Sequence, residues 1–135
     1  MKQAIFLLAL VVAASGPAAH GQTRTNRPSF NVVEATIPAM QAAMARGQLT
    51  SRQLVEQYLI RIAIYEDRLN ATLAVNPNAL QEADALDRER AQGQLRGPLH
   101  GIPVALKDNI HTTGMPTTGG ALAFAGYVPP YDATL

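Results

Sequence analysis

From Gly97 to Leu135 the sequence offers little that can form a helix and almost no charge. Lys107, Asp108 and Asp132 are its only lysine, arginine, aspartate or glutamate residues, and glycine, proline and threonine dominate. The one apolar run, Ile102-Pro103-Val104-Ala105-Leu106, lies between Gly101 and Lys107 and reads as a short buried strand with Pro103 near its start. A stretch this long with so few elements of its own consists of functional loops, or parts of a site, inside a larger domain. The chain can therefore fold only if what precedes Gly97 supplies a scaffold.

The scaffold is helical. Thr36 is placed to cap a helix that opens on Ile37 and Pro38, where proline has no needed donor to lose. Met40, Ala43 and Met44 recur at helical spacing, and Gly47 is a C-terminal stop. Thr50 and Gln53 form a capping-box pair. Leu54, Tyr58, Ile62, Tyr65 and Leu69 then make an apolar stripe, with Arg52, Glu56, Arg61, Glu66 and Arg68 mostly opposite, which predicts a packing helix. Thr72–Val75 is short and β-prone. Asn76-Pro77-Asn78 turns the chain, and Asn78 with Gln81 suggests a second cap. The helix that follows carries Asp84, Asp87, Arg88, Glu89 and Arg90, read as a solvated face with pairs three or four apart. Gly93 and Gly97-Pro98 end it. The order helix, strand, helix, strand predicts an α/β or mixed-sheet class.

The N-terminus reads as an export signal. Lys2 is followed by the uninterrupted apolar run Ala4–Ala14 and then by Ser15-Gly16-Pro17. Ala19 and Gly21 sit at the spacing a signal peptidase needs, and cleavage after Ala19 also fits. At about 1.5 Å per residue the run falls short of a roughly 30 Å hydrocarbon core, so a stable membrane anchor is not expected. The alternatives are a buried helix or an uncleaved anchor. The expected organisation is a signal peptide over 1–21, a polar flexible lead-in over 22–31 and a domain from 32 to 135. Removing Lys2 takes the formal charge from +1 to zero and leaves Lys107 as the only lysine.

Composition narrows the chemistry. The chain has no cysteine, which excludes a disulfide framework, a thiol nucleophile and cysteine-bound zinc. Near-neutral charge and 5% aromatic residues give no footprint for nucleic acid or a polybasic membrane patch. His100 and His111 lack a third ligand at metal-binding spacing. Gly114, Gly119 and Gly120 lie among threonines without the GxxxxGK[ST] phosphate-loop pattern. Ser51 is explained as a helix start and Ser29 lies in the lead-in. Lys107 is the candidate that remains. It stands at the end of the 102–106 run, where open-sheet proteins form sites, and a desolvated, neutral lysine acts as a general base. Asp108 either opposes that effect or caps the following turn. A lysine pointing into water is the alternative.

The segment GPLHGIPVALKDNIHTTGMPTTGG, Gly97 to Gly120, resembles the amidase signature family of hydrolases. The likeness extends upstream through LTSRQLVEQYLIRI, the Asn76-Pro77 turn and the charged helix, and covers most of residues 32–135. With the export signal, it is most similar to the secreted peptide amidase branch. The resemblance implies the family's mixed α/β sheet fold and a Ser–cis-Ser–Lys triad in which Lys107 is the lysine. It implies a small-molecule or peptide amide substrate and no metal or organic cofactor. The family's two serines lie well downstream of the lysine, and no serine follows Ser51 here. Gly120-Ala121 also replaces a Gly-Ser pair. The sequence thus reads as a truncated N-terminal part of an amidase, exported to a periplasm or the extracellular space, and inactive alone. The alternatives are a non-catalytic remnant or binding fragment and, since the family includes components of aminoacyl-tRNA amidotransferases, a transferase component, which export disfavours. Strands meant for a larger sheet would leave unpaired edges. Marginal stability is expected, with exposed apolar residues on the helix from Thr50 to Leu69.

Overall fold

The computed structural model describes residues 30–134. The expected export signal and nearly all of the lead-in lie outside the described residues. The first helix, α1 (Ile37–Ala45), begins where Thr36 turns extended and its hydroxyl accepts from the Ala39 N–H at 3.3 Å. It ends at Gly47, whose φ of +65° lets the Gly47 and Gln48 N–H groups turn back to the Met44 and Ala43 carbonyls. The second helix, α2 (Ser51–Leu69), opens on the complete capping box. Thr50 Oγ1 accepts from the Gln53 N–H at 3.1 Å, and Gln53 Oε1 accepts from the Thr50 N–H at 3.0 Å. Asn70, left-handed at φ 48°, ends it. The third helix, α3 (Ala79–Ala91), packs against α2.

Val32, Met40, Ala43, Met44, Leu49 and Leu54 form the core, with Tyr58 and Ile102 half-buried against it. This core covers only the first turns of α2. Leu54 is 0% exposed, whereas Tyr65 is 43% and Leu69 67% exposed at the far end of the same stripe. The expected exposed apolar residues on α2 are therefore present, and Ile60 and Ile64 add to them.

Two expectations about α3 need correction. Asn78 does not cap it with its side chain. Its backbone is not extended (φ −98°, ψ 3°), and its N–H instead donates to Asn76 Oδ1 at 2.8 Å. Nor are the charges of α3 simply a solvated face. Asp87 crosses to the start of α2, accepting from the Ser51 N–H at 2.7 Å and the Arg52 N–H at 3.0 Å. Asp84 pairs with Arg52 at 2.6 Å. Two N–H groups that a helix start leaves without partners are thus satisfied from another helix, at the positive end of the α2 dipole. Asp87→Ala is expected to cost about 1–2 kcal/mol, with Asp87→Asn losing less. An unchanged urea midpoint would remove this role.

Gln41, Arg90 and His100 tie α1, α3 and the following segment together. Gln41 Nε2 donates to the Pro98 and His100 carbonyls at 2.9 and 3.0 Å, and Arg90 donates to Gln41 Oε1 and the His100 carbonyl. This hub brings Gly101 against Ser51 at the start of α2 and seats Ile102 on the core.

The sheet half of the α/β expectation is not displayed among the described residues. Residues 72–75 and 102–107 belong to no strand or bridge. A strand is defined by its hydrogen-bonded partner, and neither run finds one among the described residues. The 102–106 run is not buried either, since Val104 is 65% and Leu106 41% exposed. Beyond it the chain is turns and one 3-10 turn, Leu122–Phe124. No described helix is long and apolar enough to cross a membrane.

Candidate active-site cleft

One face of α2 and the two unpaired runs line an open cleft of about 860 Å³. Val55, Tyr58, Leu59 and Ile62 of α2 form its floor. Residues 71–76 form one wall, and residues 103–110 with 115–117, Gly119 and Gly120 form the other. The lining is mostly apolar. Lys107 and Asp108 are its two charged residues, so the sequence-selected lysine stands in the wall of this cleft. The buried, desolvated setting expected of Lys107 is not what the described residues show: Lys107 is exposed, as are Val104 and Leu106 before it, and it takes part in none of the ion pairs among the described residues.

Asp108 does not pair with its neighbour. Its carboxylate accepts from the Thr118 hydroxyl, from the Thr118 N–H at 2.9 Å and from the Gly120 N–H at 3.3 Å. The Thr118 hydroxyl, followed by the Thr118 N–H, holds the Asp108 carboxyl below the usual aspartate range. Of the two roles open to it, Asp108 takes that of closing the loop after it. A second carboxylate does the same further on. Asp132 accepts from the Thr113 N–H at 2.6 Å and the Thr113 hydroxyl at 3.1 Å, and these bonds lower its pKa in turn. The stability such bonds contribute is present at neutral pH and is lost as the pH falls through the depressed values.

The other sequence candidates fall elsewhere. His100 is buried, with Nδ1 accepting from the Arg96 N–H at 3.2 Å and Nε2 meeting the Leu86 carbonyl at 2.9 Å. Both ring nitrogens are thus used inside the protein. His111 stands edge-on between Tyr127 and Tyr131. Ser51 is 0% exposed, with its hydroxyl against Met44 Sδ, as a helix start and not as a nucleophile. Gly119 and Gly120 lend their left-handed backbone to the Asp108 loop. Sequence reasoning missed Asp87, Gln41 and Arg90; the cross-links from Asp87 to the start of α2, from Gln41 to Arg90 and from Gln41 to His100 span 35 to 59 residues.

Comparison with known proteins places the chain in a family. The chain belongs to the amidase family, whose model, described as Amidase, matches residues 53–135. It is 42% identical over 108 residues to a glutamyl-tRNA(Gln) amidotransferase subunit from Streptomyces avermitilis, covering 79% of this chain and 22% of that protein. Among solved structures, the native peptide amidase from Stenotrophomonas maltophilia superposes with a TM-score of 0.69 at 48% identity, over 71% of this chain and 20% of that one. An amidase family protein from Bacillus anthracis superposes with a TM-score of 0.72 at 37% identity, over 76% of this chain and 21% of that one. The chain thus spans about a fifth of the length of the relatives it matches.

Proposed function

We propose that this chain is the N-terminal part of an exported hydrolase of the amidase signature type, and that Lys107 is its general base. The reading rests on one observation above the others: the sole lysine outside the N-terminal signal pattern stands in the wall of the apolar cleft, within the residues the family matches. In this reading the whole protein has the family's mixed α/β sheet, and residues 72–75 and 102–106 are two of its strands. The Lys107 amine takes a proton, by way of a bridging serine, from a nucleophilic serine. That serine attacks the amide carbonyl, the proton passes to the leaving nitrogen as the C–N bond breaks, and water releases the acyl group. Backbone N–H groups near the nucleophile hold the oxyanion. No metal or organic cofactor enters the scheme, and the substrate is a small-molecule or peptide amide.

Both serines would come from polypeptide beyond this segment, since none follows Ser51 and Ser51 is buried. The same fact favours a second reading for the segment by itself, a non-catalytic piece. A component of an amidotransferase is the remaining alternative, and the export pattern of residues 1–21 argues for a periplasmic or extracellular hydrolase instead.

The test is a chimera in which residues 32–135 replace the matched fifth of the Stenotrophomonas maltophilia peptide amidase. It is expected to release ammonia from a peptide amide, while the isolated 22–135 chain releases none. A folded but inactive chimera would count against the reading. N-terminal sequencing of exported protein is expected to find Gln22 or His20 first, and an intact Met1 would remove the cleaved signal.

A further inference from the structure

We propose that Asp108 is a positioning residue for Lys107, acting by holding the Thr118–Gly120 loop against the lysine's own turn. The proposal deepens the reading of Lys107 as the base, yet concerns only where that side chain is held.

Two adjacent residues of opposite charge in an open cleft would ordinarily attract each other. Here the Asp108 carboxylate is instead occupied by the Thr118 hydroxyl, the Thr118 N–H and the Gly120 N–H. Its main-chain carbonyl accepts from the Gly119 N–H at 2.7 Å. Three successive residues of the loop therefore point donors at one aspartate. Such convergence needs left-handed backbone, which Gly119 (φ 58°) and Gly120 (φ 76°) supply.

The lysine's side of the contact is also closed. The Ile110 N–H donates to the Lys107 carbonyl at 2.9 Å, making a tight turn over 107–110. Buried Thr117 reaches the Ile110 carbonyl with its hydroxyl at 3.5 Å. The run that carries Lys107 has no strand partner among the described residues, so this clamp is what fixes its end. Without it, residues 107–110 and 117–120 are free to separate, and the Lys107 side chain loses its fixed origin in the cleft wall.

The experiment compares the full chain with Asp108→Asn, Thr118→Val and Thr118→Ser. Two quantities are read at one pH. They are amide hydrogen exchange at residues 118–120, and the acetylation rate of Lys107 by acetic anhydride relative to added free lysine amide. Helix content by circular dichroism controls for unfolding. In Asp108→Asn and Thr118→Val, exchange is expected to quicken about fivefold or more as the bonds are lost. Lys107 acetylation is expected to change about twofold or more as its local order falls. Thr118→Ser keeps the hydroxyl and is expected to match the parent in both.

Faster exchange with unchanged Lys107 acetylation would show a clamp that stabilises the loop but does not position the lysine, and would overturn the proposal. Thr118→Ser behaving as Thr118→Val would overturn it too. Should Asp108→Asn unfold the chain, the two Thr118 variants decide alone. Amidase activity enters neither readout, so an inactive chimera would remove the base reading and leave this one standing.

Discussion

In the chimeric peptide amidase, Lys107→Ala is expected to lower kcat by about 10³-fold or more while changing KM little. General-base catalysis acts in the transition state, when the attacking hydroxyl loses its proton, so its loss falls on kcat and on kcat/KM together. A thousandfold loss corresponds to about 4 kcal/mol of activation free energy. The structure gives a reason to expect a clean result. Lys107 is exposed and joins no ion pair among the described residues, so truncating it leaves no buried charge without a partner. The folding stability should therefore stay within about 0.5 kcal/mol of the parent. Lys107→Arg places an always-protonated guanidinium there, which has no free amine to accept the serine proton, and is expected to be as inactive as the alanine variant. Retained activity in either variant would exclude Lys107 as the base.

Gly101→Ala is expected to be the most destabilising glycine-to-alanine change among the described residues, at about 3 kcal/mol. A Cβ at Gly101 would lie 2.1 Å from Ser51 Oγ, 3.2 Å from Ser51 Cβ and 3.5 Å from Met44 Sδ. None of these neighbours can yield easily. Ser51 is 0% exposed, its N–H is held by Asp87, and Met44 is in the core. The backbone adds its own strain, since φ is +79° at Gly101. Gly114→Ala separates the two effects, because its φ is +89° but nothing lies within 4 Å of the added carbon. It should cost about 1 kcal/mol, from backbone strain alone. Urea unfolding of both variants checks the difference, and a Ser51→Gly background should recover part of the Gly101→Ala loss. Equal losses in the two glycine variants would show that the contact with Ser51 is not close.

What the sequence made legible was local. The Thr36 cap, the Thr50–Gln53 box and the Gly47 stop each lie within a few residues of the backbone groups they satisfy, and all three stand as read. Lys107 reads as the end of a buried strand; it lines the cleft, but the run before it is neither a strand nor buried among the described residues. The Asn78 cap failed because a side-chain cap needs an extended backbone at that residue, which composition does not specify. The 102–106 run reads as a strand from its residues, but a strand is a property of a pair, and no partner lies within the described residues. Asp87 looked like one more surface acid because its donors sit on another helix, 35 and 36 residues back. No short-range pattern distinguishes such a carboxylate from its charged neighbours Glu82 and Arg88.

The crossing from Asp87 to the start of α2 also bears on the order in which the chain acquires its structure. Thr50 and Gln53 can begin α2 as soon as both are made, because their contact is three residues long. The Ser51 and Arg52 N–H groups must wait for α3. Gly101 lies against Ser51 beside the hub of Gln41, Arg90 and His100, whose contacts reach back as far as 59 residues. Loop-closure cost rises with the separation of the joined residues. Synthesis from the N-terminus therefore favours the helical pair first and the lysine-bearing run last. The residue assigned to chemistry would then dock onto a scaffold that has left the ribosome ahead of it.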